Sequence, residues 1–223
     1  MADKEMDELE KVNEALTSSE KFIEKHQKTI ITVVIAIVVI VSAVLAVRHF
    51  YLIPREEKAQ VAMYRAVLAF EQDSLDLALN GNADFDGFLF VIDQYGSTQA
   101  GNLACAYAGL VYYEKGEYET ALEYLSKFSA GDAVVSPAIV ASIGNCYANL
   151  EKYAEAVKCF EKAAQATDND VFSPIYLMKA AAVYEKMGQK ADALKLYEKI
   201  KSEYPRSQQA QTIDSYIERA KLQ

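Results

Sequence analysis

The residues of this chain best suited to nucleophilic or metal chemistry are three cysteines and two histidines. His26 and His49 flank the uncharged run from Thr29 to Val47 on opposite sides. They cannot share an ion, and they read as ordinary interfacial histidines rather than as a proton sensor. Cys105, Cys146 and Cys159 fall inside helix-patterned stretches, with no histidine beyond residue 49 to activate a thiol. They read as small packing residues, and an odd count makes no disulfide framework. Asp168-Asn169-Asp170 resembles the start of a calcium loop but lacks the glycine and closing glutamate that such a loop needs, which leaves a solvated turn. No catalytic residue, metal ligand, cofactor or small-molecule substrate is therefore expected. The chain reads as a non-enzyme whose chemistry lies in its surface.

That surface must be positioned by two kinds of element. The first is Thr29–Val47, TIITVVIAIVVIVSAVLAV, whose only polar side chains are Thr29, Thr32 and Ser42. As a helix it rises about 28 Å, close to the roughly 30 Å of a hydrocarbon core. Lys25 and Lys28 close one end and Arg48 the other, with Phe50 and Tyr51 as interfacial aromatics. A cleaved signal peptide would not carry a 28-residue tail of net negative charge ahead of a core this long. An uncleaved single-pass anchor is expected. Nearby basic residues tie across it: Lys21, Lys25 and Lys28 before, Arg48, Arg55 and Lys58 after. Orientation then follows from the long following domain, which crosses largely regardless of charge, and the amino terminus is placed in the cytoplasm.

The net charge of −9 divides into −3 before the anchor and −6 after it. Neither part has the basic stripe that nucleic acid requires, and an acidic domain gains nothing by lying on anionic lipid.

The second kind of element is a repeat. KGEYETALEYL at 115, EKYAEAVKCF at 151 and GQKADALKLY at 188 align on Ala121, Ala156 and Ala193. Ahead of each lies a small residue with a tyrosine three places on: Gly109 and Tyr112, Gly144 and Tyr147, Ala181 and Tyr184. Four positions after each alanine comes Leu125, Phe160 or Tyr197. Small residues let antiparallel helices approach, and the large ones fill the gap. This is the pattern of the tetratricopeptide (TPR) hairpin, with a period near 34. Ser136-Pro137 and Ser173-Pro174 each read as a cap followed by a proline at the first helical position.

The expected architecture is all-α: a single N-terminal transmembrane helix, then a TPR solenoid of about four hairpins and a C-terminal capping helix. The expected segments are a charged cytoplasmic tail (1–28), the anchor (29–47), a juxtamembrane linker in which Pro54 breaks or bends the helix (48–55), and a degenerate first hairpin (56–100). Three TPR hairpins (101–206) and a cap begun by Ser207 (207–223) follow. In the degenerate hairpin one helix is expected from Glu56 to Leu79 and a second from Phe85 to about Tyr95. The tail's sparse apolar residues, Leu9, Val12, Leu16, Phe22 and Ile23, suggest a solvated helix.

On this pattern the first helix of each hairpin lines a groove. It would be formed by Leu103, Ala106, Leu110 and Tyr113, then Ala138, Ala141, Asn145 and Ala148, then Ile175, Met178, Ala182 and Glu185. Some TPR domains grip a peptide carboxylate there with Lys, Arg and Asn, and only Asn145 fits that role. A small-residue, apolar groove suits an apolar partner segment. The alternative is that part of it is core, covered by the capping helix or by the helix from residue 56.

Short tail, uncleaved anchor and acidic TPR array together resemble the YfgM-like family of ancillary subunits of the bacterial Sec translocon. The resemblance rests on the anchor, FLFVIDQYGS at 88–97, the repeat from Ala104, and YPRS at 204–207. It implies an inner-membrane protein with periplasmic repeats, set beside the translocon and a membrane-anchored periplasmic prolyl isomerase/chaperone, that helps exported chains reach folding factors. The alternatives are a structural scaffold of another envelope complex, or an organelle outer-membrane import receptor facing the cytosol.

Overall fold

The computed structural model describes the backbone of residues 2–222 and the side chains of residues 25–222. The tail's apolar positions, Leu9 to Ile23, lie outside the described side chains. The chain divides into two compact units, Met1–Pro54 and Arg55–Gln223.

The first unit holds α1 (Ala2–Val47) and a π-helical turn, Arg48–Leu52. From Ile30 to Val47 the large apolar side chains stand exposed. The Thr32 hydroxyl donates to the carbonyl of Lys28 at 2.8 Å, so it needs no outside partner. Length, composition and exposure are compatible with a single-pass membrane anchor. Of the break or bend expected at Pro54, the break is absent, since Pro54 lies inside the next helix, α2 (Ile53–Glu71), directly after the π-helical turn. The amide of Ile53 donates to the carbonyl of Arg48, five residues back. That wider turn relieves the clash a proline ring otherwise makes with the carbonyl four residues earlier.

Among the described residues, the second unit consists of helices joined by turns and loops, with one isolated bridge, Gly81 to Asp86. The helix expected over 56–79 is instead two, α2 and α3 (Leu75–Asn80), because Asp73 adopts a positive φ of 57° and turns the chain. Helix α4 (Phe88–Tyr95) starts three residues later than the sequence suggests. The Asn82 side chain accepts from the amides of Asp84 and Phe85, holding that stretch in a turn. Arg55 donates to the Gln94 carbonyl at 2.5 Å. The Glu56 carboxylate accepts from the amides of Gln99 and Ala100, the first residues of α5 (Gln99–Glu114). Two adjacent charged residues thus fasten α2 to the end of α4 and the start of α5.

Three hairpins then repeat one geometry: α5 with α6 (Tyr118–Lys127), α7 (Val135–Asn149) with α8 (Tyr153–Thr167), and α9 (Ser173–Lys186) with α10 (Lys190–Glu203). A Cβ added at Gly109 would lie 2.6 Å from Leu125 Cγ, and one at Gly144 2.9 Å from the Phe160 ring. Helices this close leave only small residues at the crossing, and Ala181 fills the third one with no exposed surface. Ala121, Ala156 and Ala193 are likewise 0 % exposed. Each inter-helix turn is closed by the same bond, from the amides of Glu117, Lys152 and Gln189 to the carbonyls of Tyr112, Tyr147 and Tyr184, all at 2.9 Å. These are C-terminal capping bonds that use one left-handed residue per turn, Gly116, Glu151 or Gly188.

The last helix, α11 (Ile213–Lys221), follows a 3₁₀ turn at Gln209–Gln211. Buried Ser207 accepts from the amide of Ala210 and donates to the Tyr204 carbonyl, so it caps the short turn rather than α11 itself. Ile213 and Ile217 complete the core cluster built on α8, α9 and α10.

The residues that start α7 and α9 differ from expectation. Asp132 Oδ1 accepts from the amides of Val134, at 2.8 Å, and of Val135 and Ser136. Asn169 Oδ1 accepts from those of Val171 and Phe172. The serines are not the caps. Ser173 is buried and donates to the Ala164 carbonyl at 2.9 Å, tying the loop back to α8. Each proline falls one or two places inside the first turn, where no intrahelical amide bond is lost.

Candidate protein-binding face

The first helices of successive hairpins, α5, α7 and α9, stand side by side, with α11 after them. Asn102 on α5 exchanges two hydrogen bonds with Ser129 in the loop leading to α7. The Lys179 ammonium on α9 donates to Asn145 Oδ1 on α7 at 2.9 Å. Arg219 on α11 forms a two-pronged pair with the Glu185 carboxylate on α9, at 2.9 and 3.0 Å.

The residues expected to line this wall divide into two groups. Leu103, Leu110 and Tyr113 are half-buried and pack with Ile139 and Ile143 from the next hairpin. Ile175 and Met178 are half-buried on the C-terminal cluster. Ala138 and Ala182 are exposed, and Ala148 is half-buried. Ala106 and Ala141, at 2 % and 3 % exposure, are core residues with nothing to offer a ligand. Glu185 is engaged by the capping helix, so that end of the wall is closed by the chain's own α11.

Lys179 is the residue that the pattern-based reading missed. Its ammonium lies 5.8 Å from the centroid of the Phe160 ring and next to a neutral amide oxygen, and no carboxylate within ion-pair reach is found among the described residues. Burial alone pushes its pKa below the ordinary lysine value. A half-buried cation without a counter-charge keeps unused N–H donors, which a partner's carbonyl or carboxylate oxygens can accept. In sequence Lys179 looks like any helical lysine. The signal was its position one repeat after Asn145, which places the two on adjacent first helices.

The thiols are held toward their neutral form. Burial pushes Cys146 up to about 11 and raises Cys105 and Cys159 as well, so the nucleophilic thiolate is disfavoured at neutral pH.

Two family models, each described as a tetratricopeptide repeat, match residues 140–170 and 176–207. No curated protein matches the chain. Among solved structures, the chain is similar to a crystal structure of MamA protein, with 20% identity, a TM-score of 0.55, and coverage of 74% of this chain and 87% of that one. A second MamA crystal structure has 21% identity and a TM-score of 0.43, covering 60% of this chain and 87% of that one. The chain thus carries tetratricopeptide repeats, a fold that serves as a protein-interaction scaffold and is typically non-enzymatic.

Proposed function

We propose that this chain is a membrane-tethered protein-binding module that works as an ancillary translocon subunit, linking exported chains to periplasmic chaperones. In this reading α1 spans the inner membrane with the amino terminus in the cytoplasm and the repeats in the periplasm. Its partners are translocon subunits, a periplasmic prolyl isomerase/chaperone and exported chains. The observation that carries it is the α5–α7–α9 wall: partly exposed Leu103, Leu110, Tyr113, Ile175 and Met178 beside the donors of Lys179 and Asn145. Apolar contact with a few directed donors is what an adaptable chain-binding surface requires. Tethering raises the local concentration of such a surface at the membrane, so weak contacts suffice.

The test is photo-crosslinking in living cells from probes at Leu110 and Met178, with a probe at exposed Lys158 on α8 as control. Mild-detergent co-purification against the same anchor fused to an unrelated domain would accompany it. Crosslinks from the wall to exported chains, with enrichment of translocon subunits and the prolyl isomerase, are expected. Wall crosslinks no stronger than those from Lys158 would remove the client-binding role.

The scaffold reading draws on a specific feature, the closure of one end of the wall by the Glu185–Arg219 pair. Polar substitution of Leu110, Tyr113 and Met178 separates the two. A folded variant that keeps its client crosslinks supports the scaffold.

A further inference from the structure

The loops that enter α7 and α9 carry the same pattern at the same register. Asp132-Ala133-Val134-Val135-Ser136-Pro137 is followed, 37 residues on, by Asn169-Asp170-Val171-Phe172-Ser173-Pro174. In both, the first side chain accepts from the backbone amides two and three residues later. Those bonds satisfy the turn internally and leave its apolar side chains facing solvent. Val134, Val135, Val171 and Phe172 are 58%, 43%, 62% and 37% exposed. Exposed large apolar side chains occur elsewhere in the second unit, on α2 and at Phe90 and Leu222. Only these four recur at the repeat spacing, and they sit on turns pinned by side-chain bonds.

Charge selects the occupant. Residues 128–138 and 166–178 contain Asp132, Asp168 and Asp170 and no lysine or arginine. A second copy docked through the same rim would set these carboxylates against one another. An anionic membrane would be repelled in the same way. We propose that the paired loops before α7 and α9 form a docking rim for a partner protein, which places an apolar segment on Val134, Val135, Val171 and Phe172 and flanking lysines or arginines beside Asp168 and Asp170. The rim lies at the starts of α7 and α9, ahead of Ala138 and Ile175 on the wall, and Lys179 further along α9 tells the two apart in the test below.

The probe is a fluorescent synthetic peptide with a leucine–alanine core between two pairs of lysines. Its twin has glutamates in place of the lysines. Binding is read by anisotropy on the full chain in nanodiscs of neutral lipid, with empty nanodiscs subtracted. The lysine peptide should bind at least tenfold tighter than its twin. Replacing Val134, Val135, Val171 and Phe172 together by serine should weaken it about tenfold, with the thermal melt unchanged because all four are exposed. Asp168→Asn with Asp170→Asn should weaken it several-fold and flatten its salt dependence, while asparagine at 168 still accepts from the Tyr204 hydroxyl, as Asp168 does at 3.2 Å. Equal binding of the two peptides, or full binding by the serine variant, overturns the proposal. So does loss of binding on Lys179→Met in place of the rim variants, which would assign the peptide to the wall. Rim-dependent binding to anionic vesicles in preference to the peptide would overturn it as well.

Discussion

Glu151 holds a left-handed backbone conformation, φ 58°, at the turn position that Gly116 and Gly188 fill in the neighbouring hairpins. A side chain there strains the backbone by roughly 1 kcal/mol, a cost glycine avoids. Glu151→Gly is expected to leave the protein as stable or more stable, by up to about 1 kcal/mol in urea unfolding. Gly109→Val should do the opposite. Its Cβ meets Leu125 at 2.6 Å, and overpacking of that kind costs roughly 1–3 kcal/mol. Lys179 distinguishes packing from function at the same scale. Its folded pKa is lowered by burial, so the cost to folding is full while the amine is charged and fades as pH rises through that lowered value toward the usual 10.5. Lys179→Met should stabilise the protein at pH 7 by something on the order of 1 kcal/mol and weaken wall crosslinking. The gain should shrink as pH rises through the lowered folded value and be gone above the ordinary 10.5. A lysine kept for structure alone would give a loss of stability instead.

At the scale of elements, the start of α7 depends on a side chain from the preceding loop, Asp132, while Asn169 holds the loop that leads to α9. Backbone amides donated to Asp132 hold its carboxyl below the ordinary value of 3.8. Its contribution is therefore complete above that value and is lost as pH falls through the lower folded pKa. Hydrogen exchange at Val134, Val135 and Ser136, measured against α5 amides as an internal reference, should accelerate specifically in that acid range. Asp132→Asn should keep the cap and remove the pH dependence. Before α9, Asn169→Ala should cost about 1 kcal/mol, the usual worth of a hydrogen bond, by releasing the loop amides of Val171 and Phe172.

At the scale of the second unit, the hairpins form a row in which each buries the face of the last, and a row must end. Ile213 and Ile217 of α11 supply that end by covering Tyr197 and Ile200. A chain truncated after Pro205 should lose cooperative unfolding and self-associate, visible as a broad melt and a larger species in light scattering. The exposed run from Ile30 to Val47 gives the first unit a helix whose length and apolar surface are compatible with a membrane anchor.

The long apolar helix and the repeats were legible in the sequence because both signals are local. Nineteen uncharged residues need no tertiary context to be read as a span. Ala121, Ala156 and Ala193, with their glycines and tyrosines, declare the helix crossings one hairpin at a time. The first hairpin was less legible: the turn at Asp73 interrupts a helical pattern without a glycine or proline to mark it. Capping was misassigned for a related reason. Ser-Pro is a start signal by type, but the side chains that reach the amides are Asp132 and Asn169, several residues upstream. The wall was legible as a set of positions and not as a surface. Only packing between hairpins decided that Ala106 is core, that Glu185 belongs to Arg219, and that Lys179 rests on Asn145 34 residues away. Periodicity assigns a residue to a face of its own helix. What covers that face depends on helices distant in sequence, and tertiary structure alone brings them together.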